Sequence, residues 1–545
     1  MAFNPPYAIT LDAGSSLANK TGSWRTEQPL YLDRLPPCNV SCPAGENIQA
    51  WLGLTQEGRY REAWEEIVIN NPLPAIHGRV CYHPCEDSCN RTSLEQPVNI
   101  HAIERFLGDL ALQEGWPLPT PAEASGKHIL VIGGGPGGLS AAYHLRQLGH
   151  EVTLMDAKPA AGGMLRYGIP AYRLPRDILD AEIERIQRSG VHIKVDTSID
   201  NLANTLHDNR YDATFLAVGA HVGRHIDLKT DQSVPLTDAV DFLNGMESSP
   251  SSPSLGNRVV VYGGGNTAID VARTAVRLGA EQVTIVYRRT QEKMPAHAFE
   301  IEEALEEGVE LRALRTITAI TDGKLQLETM ELDADGWPQP SGGSETLAAD
   351  SLVYALGQTV NAALLQGYPQ IEVAADGTIS VDERMMTAAE GLFAGGDMVP
   401  ADRTITTAVG HGKKAARHIH HYLNDQQLQP RAKHETAEFD LLNTWYYPEE
   451  PMRSQPLLEM QQRTTTFNEV LDGLGELSSK LEAQRCMSCG NCFECDNCYA
   501  VCPDNAITKL GRGNRFAIDY DYCKGCGLCV EECPCGAMKM VPEIG

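Results

Sequence analysis

Cysteine spacing carries the clearest chemistry in this sequence. Cys492-x-x-Cys495-x-x-Cys498-x-x-x-Cys502-Pro503 and Cys523-x-x-Cys526-x-x-Cys529-x-x-x-Cys533-Pro534 repeat one spacing twice. A run of this kind holds [4Fe–4S] clusters, and the fourth thiolate of each copy ligates the other copy's cluster. One cluster is therefore expected on Cys492, Cys495, Cys498 and Cys533, and another on Cys523, Cys526, Cys529 and Cys502. Paired CxxC motifs also bind zinc, but the third cysteine of each run and the proline after the fourth favour iron–sulfur. Near the other end stand Cys38, Cys42, Cys81, Cys85 and Cys89, with Pro43 and Pro84 beside them. The plain reading of such residues is small buried hydrophobes. Five in a short span read better as ligands, to iron–sulfur or zinc.

Glycines carry the second chemistry. In HILVIGGGPGGLSAAYHLRQLGHEVTLMD, Gly133, Gly135 and Gly138 follow an apolar run at G-x-G-x-x-G spacing, and Asp156 closes the next apolar run. This is a dinucleotide site: a tight turn, a close backbone approach to pyrophosphate at a helix N-terminus, and an acid for a ribose hydroxyl. Alone the pattern is weak, since many helix starts are glycine-rich. It recurs in RVVVYGGGNTAIDVARTAVRLGAEQVTIVYRR, with Gly263, Gly265, Asn266, Thr267 and Ala268 in the turn, and with Arg288 and Arg289 where the first unit has its acid. A guanidinium there suits the extra phosphate of NADP, which favours NADP over NAD; the alternative is a solvated basic pair. Gly163, Met164 and Arg166 of GGMLRYGIP and Gly219 of YDATFLAVG are expected around the flavin of an FAD. Gly396 and Asp397 of FAGGD, and Thr407 and Ala408 at a helix start, join them, with Asp397 accepting from a ribityl hydroxyl. The helix's amide end would face the flavin and stabilise its reduced anion. Gly357, ending SLVYALG, is assigned to the NADPH site.

These residues require scaffolds. At 545 residues the chain has room for three to five domains. The reading is an α/β multidomain protein with two Rossmann-like nucleotide-binding domains, the NADPH domain inserted in the FAD domain. A helical iron–sulfur domain precedes them and a ferredoxin-like α+β domain follows. The boundaries are an extended arm over 1–37, the helical domain over 38–122, and the FAD domain over 123–250 and 386–429. The NAD(P)H domain spans 251–385, a tether 430–485 with one helix over 467–481, and the ferredoxin domain 486–545. Tyr60, Ala63, Trp64 and Ile67 recur at helical spacing and read as a core face; 247–256 reads as a linker. A net charge of -27 disfavours nucleic acid and anionic membranes as partners. With no charged-then-apolar leader and no long apolar span, a cytoplasmic location is expected.

Taken together, GRVCYHPCEDSC, GGGPGGLSAA, GGMLRYGIPAYRLP, YGGGNTAIDVARTA, VYRR, MPA and FAGGD resemble the small (beta) subunit of glutamate synthase and its relatives. These include the amino-terminal part of dihydropyrimidine dehydrogenase, the large subunit of NADH-dependent ferredoxin:NADP oxidoreductase, and the DsrL-type proteins of sulfur metabolism. The resemblance spans 38 to about 420 and implies NAD(P)H oxidation at FAD with electron export through clusters. It further implies one amino-terminal cluster on Cys42, Cys81 and Cys85, with Glu104 at the family's non-cysteine ligand position. A second would keep Cys38 and Cys89 and lack two thiolates, because no cysteine precedes Cys38. The family's missing run, EAQRCMSC, occurs instead just before the ferredoxin segment, with Cys486 and Cys489. These two are expected to complete the site, from the same chain or from a partner subunit, giving four [4Fe–4S] clusters and leaving Cys535 over; otherwise they are bystander thiols. The expected function is electron transfer between NAD(P)H and a ferredoxin or a larger redox enzyme. The alternatives are an electron-input subunit without turnover of its own and a redox-sensing scaffold. Homodimer and hetero-complex both stay open.

Overall fold

The computed structural model describes residues 20–208, 210–248, 255–426 and 434–543. Two parallel sheets form its centre. In the first, the strands run in the order Leu392–Ala394, Ala213–Leu216, His128–Ile132, Glu151–Met155 and His192–Lys194. The order of the second is Glu310–Ala313, Gln282–Tyr287, Arg258–Tyr262, Ser351–Tyr354 and Leu236–Asp238. Continuous apolar runs such as ILVI and VVV suit strands covered by helices on both faces, and both sets are buried. In each sheet the strand entering the glycine turn lies between its two parallel neighbours, so the turn opens at the carboxyl edge where ligands bind such sheets.

The boundaries of the inserted domain need correction at both ends. The strand Leu236–Asp238 pairs in the second sheet with Ser351–Tyr354, and the helix Ala239–Ser248 follows it, so both leave the first part of the FAD domain. At the far side, Val360, Leu364, Leu365, Ile371, Ile379 and Met385 pack in the core of the first sheet. Insertion and return meet at a two-stranded antiparallel ladder, Val222–Gly223 with Gln358–Thr359. The signal missed was the short strand of 236–238, too brief to show periodicity. Of the expected linker 247–256, residues 249–254 lie outside the described residues, and Glu247 lies in the last turn of the helix Ala239–Ser248 and pairs with Arg166 and Arg176.

The described part of the arm is not free. Glu27–Tyr31 pairs antiparallel with Met538–Pro542, so segments far apart in sequence form one ladder at the ferredoxin-like module. That module holds the hairpin Ile507–Lys509 with Phe516–Ile518 and the short helices Asn497–Val501 and Leu528–Glu531. The expected tether is likewise a packed strap. Instead of one helix over 467–481, the chain forms the helix Met460–Thr465, a bridged pair Leu457 and Leu471, and the helix Glu476–Ala483. Val470 is buried and donates its N–H to Tyr172 O, and Gly473 and Gly475 separate the pieces, so tertiary pairing overrides the helical pattern. Residues Tyr60–Val68 are a helix with Ala63, Trp64 and Ile67 buried, as their spacing predicts.

Candidate functional site

Both glycine turns are built alike. Gly133 has φ 104° and Gly263 φ 149°, a region that favours glycine. A Cβ on Gly133 would sit 2.2 Å from Ala217 O, and one on Gly263 2.1 Å from Ala355 O. Each turn thus presses on the strand beside it, and Gly135 and Gly265 are the N-caps of the helices Pro136–Gln147 and Asn266–Arg277. In the first unit, a Cβ on Gly138 would clash with Gly133 O at 1.9 Å. Asp156 is held at the turn by two backbone donors, Gly134 N–H to Oδ2 at 2.6 Å and Lys158 N–H to Oδ1 at 2.8 Å. Gly163 faces Gly135 so closely that a Cβ on it would lie 2.7 Å from the Gly135 Cα. The turn is therefore a cradle of bare backbone, the lining that a pyrophosphate needs. Met164 starts a one-turn helix, Met164–Tyr167, behind it. Arg166 donates to Ala161 O at 2.8 Å and pairs with Asp180 and Glu247, so it braces the loop rather than offering a free guanidinium. Gly219, with φ 71°, stands at the open end of the strand Ala213–Leu216.

The helix Ile405–Leu423 carries Thr407 and Ala408 in its first turn. Its N-cap is Thr404, whose Oγ1 accepts the Thr407 N–H at 3.1 Å. Gly396 donates its N–H to His411 Nδ1 at 3.2 Å, and burial raises the neighbouring Asp397 carboxyl. On one face this helix lies against Pro136–Gln147: a Cβ on Gly412 would lie 2.3 Å from Gly137 O, and Ser140 Oγ donates to Val409 O at 2.8 Å. An adjacent face lies on the cysteine loop: a Cβ on Gly410 would lie 2.1 Å from Pro43 O, and Thr406 Oγ1 is 2.9 Å from Cys81 Sγ. One helix thus touches the nucleotide cradle and the thiols.

In the second unit, Asn266 Oδ1 accepts the His297 N–H at 3.0 Å. Thr267 and Ala268 continue the first helical turn and Gly357, φ 101°, sits past Ser351–Tyr354. Arg288 is exposed just after the strand Gln282–Tyr287, and Arg289 lies over the Trp337 ring at 4.9 Å. The two domains are tied by buried charge. Arg173 pairs with Asp270 and Glu300, and Tyr82 of the cysteine loop stacks on His297 with ring centroids 3.7 Å apart.

The cysteines gather in four groups. Cys42, Cys81 and Cys85 face one another with the carboxyls of Glu46 and Glu104 beside them, and burial, then these neighbours, pushes the Cys81 thiol up to about 12. Glu104 shares the amide of Asn71 with Glu46, at 2.8 and 3.0 Å, and burial with the Glu46 charge lifts its carboxyl well above the usual range. Glu46, four residues past Cys42, was not singled out from the sequence, although CPAGE carries it. Cys38 and Cys89 meet Cys486 and Cys489 from the same chain: burial comes first in raising the Cys38 thiol, then Cys486, Cys89 and Cys489. Cys486 is pushed to about 12 and Cys489 to about 11, chiefly by burial.

The strap delivers this pair. Ala483 and Cys486 pack in the core of the helical domain. The buried Arg485 guanidinium holds Glu482, Glu95, Pro97 O and Gln96 O, and Gln49 Nε2 donates to Ser488 Oγ at 2.7 Å. In the ferredoxin-like module, Cys492, Cys495, Cys498 and Cys533 face one another. Cys523, Cys526, Cys529 and Cys502 surround one cavity. Cys535 lies 3.8 Å from Cys533, sulfur to sulfur.

One backbone pattern recurs in three loops. Ser488, Glu494 and Gly525, each two residues past the first cysteine of a CxxC, have φ of 53°, 61° and 71°. The N–H of each acts on that cysteine's sulfur in the direction that lowers its thiol pKa. Gly490, Asp496 and Gly527, one past the second cysteine, have φ of 80°, 70° and 79°. Left-handed residues at these steps turn successive N–H groups inward, a concavity suited to anionic sulfur. Crowded, buried thiols that raise each other's pKa are the donor set a cluster stabilises as thiolates, so the residues fit the group.

Two nucleotide cradles joined by insertion and flanked by thiol groups define an iron–sulfur flavoprotein oxidoreductase that uses FAD and a nicotinamide nucleotide. The chain belongs to the pyridine nucleotide-disulphide oxidoreductase family, whose model matches residues 127–412. Models described as dihydroprymidine dehydrogenase domain II, 4Fe-4S cluster, and 4Fe-4S dicluster domain match 33–116 and 491–537. The chain is 37% identical over 509 residues to the NADP(+)-dependent formate dehydrogenase subunit beta of Moorella thermoacetica, across 83% of this chain and 70% of that one. It is 31% identical to the NADPH-Fe(3+) oxidoreductase subunit beta of Geobacter sulfurreducens, across 84% and 76% of the two chains. With the Glutamate synthase [NADPH] small chain of Azospirillum brasilense it shares 34% identity, across 73% and 88%. Among the described residues no helix is long and apolar enough to cross a membrane.

Proposed function

We propose that the chain is the electron-transfer subunit of a larger redox complex, taking electrons from NADPH at its centre and delivering them through four [4Fe–4S] sites to a partner docked at the ferredoxin-like module. When bound, the flavin exchanges a hydride pair for single electrons and the clusters pass these on singly. The chain's own residues set the order of the sites. Gly133, Gly135, Gly138, Asp156, Gly163, Gly219, Gly396, Asp397, Thr407 and Ala408 hold the FAD, and the Gly263 to Ala268 turn holds the NADPH with Arg288 and Arg289 on its extra phosphate. The helix Ile405–Leu423 sets the first thiol group, Cys42, Cys81 and Cys85 with Glu104, next to the flavin cradle. Cys38, Cys89, Cys486 and Cys489 come next. From Cys489 the chain needs only Gly490 and Asn491 to reach Cys492 of the ferredoxin-like module, so neighbouring sites are linked in sequence as well as in space.

The observation that carries this reading is the return of Cys486 and Cys489 to Cys38 and Cys89. It supplies, from one chain, the two thiols that the amino-terminal segment lacks, in loops with the backbone form of the ferredoxin-like CxxC turns. That the relatives above are named as subunits or chains supports a hetero-complex over a free reductase that delivers to diffusing ferredoxin. Iron per chain, measured anaerobically, tests it. A Cys486→Ser, Cys489→Ser double variant is expected to lose about a quarter of the iron, four atoms of sixteen if each site holds one cubane, with both ferredoxin-like clusters retained. Full iron content in that variant sinks the four-site relay.

A further inference from the structure

The contact between Thr406 and Cys81 has a use beyond packing. Thr406 lies in the first turn of the helix that faces the flavin cradle, and its hydroxyl oxygen is 2.9 Å from Cys81 Sγ. A thiolate bound to iron carries no proton, so in that state the hydroxyl is the donor and the sulfur the acceptor. Thr406 is 4% exposed, so water does not compete for the bond. Its place is fixed from both sides. Thr404 caps the same turn through Thr407 N–H at 3.1 Å, Gly410 abuts Pro43, and Lys413 Nζ donates to Ala44 O of the cysteine loop. A second donor, the His83 N–H, reaches the same sulfur at 3.3 Å.

We propose that Thr406 is a positioning residue that raises the reduction potential of the cluster nearest the flavin by donating its hydroxyl hydrogen bond to the Cys81 sulfur. This rests on the reading of Cys81 as a cluster ligand. A reduced cluster holds one more negative charge than an oxidised one, so a donor at its sulfur stabilises the reduced form more, and hydrogen bonds to sulfur are among the terms that set cluster potentials. A higher potential at the first site makes it the better acceptor from the flavin. A hydroxyl on the helix that also faces the flavin tunes that site without altering the others.

The test is an anaerobic redox titration of the full holoprotein followed by electron paramagnetic resonance, with iron and flavin content measured alongside. Cys81→Ser identifies the signal of the cluster in question. Thr406→Val replaces the hydroxyl by a methyl of similar shape, Thr406→Ala removes it without crowding the sulfur, and Thr406→Ser keeps it. The midpoint of that one cluster is expected to move to more negative potential in the Val and Ala variants and to stay at the wild-type value in the Ser variant. The midpoints of the ferredoxin-like clusters stay where they are in all three. An unchanged midpoint in a Val or Ala variant of full iron and flavin content overturns the inference. So does loss of that cluster's iron in both, which would make Thr406 a structural prop. If wild type shows no signal that Cys81→Ser removes or alters, the ligand reading falls with it, which separates the two failures.

Discussion

Arg289 shows how much a residue type at a counted position can carry. The second glycine unit is followed by two arginines where counting suggests the equivalent of Asp156, but Gly133 N–H bonds to Met155 O and Gly263 N–H to Val286 O, so Tyr287, packed on Gly264, stands level with Asp156 and the arginines follow one and two residues later. Trp337 under the Arg289 guanidinium is an addition that no spacing predicts, since it arrives from the far hairpin of the inserted domain. A cation held over an aromatic face keeps its fork edge free for a phosphate. The Arg288→Ala, Arg289→Ala double variant is therefore expected to raise the KM for NADPH about 10- to 100-fold, the worth of a two-pronged charged contact. The KM for NADH stays unchanged. Steady-state kinetics with an artificial one-electron acceptor measures both, and an equal loss for the two nucleotides would remove the phosphate from the explanation. Tyr31 shows the opposite case: its hydroxyl lies 3.2 Å from Cys498 Sγ, a contact made by a segment with no periodicity or motif to announce it.

Among elements, those with a strong local code are the ones legible in sequence. Both strand–turn–helix units, the helix Tyr60–Val68 and the ferredoxin-like loops form where apolar period, glycine spacing and cysteine spacing place them. What was not legible depends on partners distant in sequence. Glu27–Tyr31 is a strand because Met538–Pro542 lies beside it, and Leu236–Asp238 because Ser351–Tyr354 does. The strap is the fullest example, since its short pieces are fixed by buried side chains and not by their own propensity. Arg485, with no exposed side-chain surface, joins Glu482 and Glu95, while Glu482 also accepts the N–H groups of Asn99 and Arg453. Truncating one partner of such a pair leaves a buried charge, at a cost of about 3 to 5 kcal/mol. In Arg485→Ala, amide exchange across Glu476–Ala483 is expected to rise about 100- to 3,000-fold, since about 1.4 kcal/mol is tenfold. Iron is lost from the site of Cys38 and Cys89 while the ferredoxin-like iron remains. Exchange at the wild-type rate would show that the strap is held by other means.

At the scale of the whole molecule, the domains are joined by surfaces that bury titratable groups, and this gives the assembly a dependence on pH. His144, on the helix Pro136–Gln147, points its Nε2 at Asn70 O of the helical domain at 3.2 Å. Burial, with Lys413 and Arg417 adding repulsion, depresses its pKa to about 3. Within the FAD domain, where its two sequence segments meet, His150 bridges Ser125 and His420, and burial, then His420, takes it to about 4. For both, the unfolded chain binds a proton near pH 6.5 and the folded one does not until far lower. Their contribution to stability is thus complete above pH 7 and is lost as pH falls from about 6.5 toward 4, at about 1.4 kcal/mol per pH unit for each. Buried carboxyls act in the opposite sense. Burial lifts Glu182 and Glu300 to about 7, so their contribution is present in acid and fades as pH rises from about 4.5 to 7. The two slopes oppose each other in one window, and the total profile is shallower than either. The histidine part must accordingly be read as a difference between proteins. On going from pH 7.5 to 5.5, anaerobic native-state exchange of the amides in Pro136–Gln147 should lose about 1.4 kcal/mol less protection in His144→Gln than in wild type. That variant keeps a polar side chain but cannot take up the proton. Equal losses in the two proteins would mean that His144 is already charged in the fold, or that the joint it sits in does not open in acid.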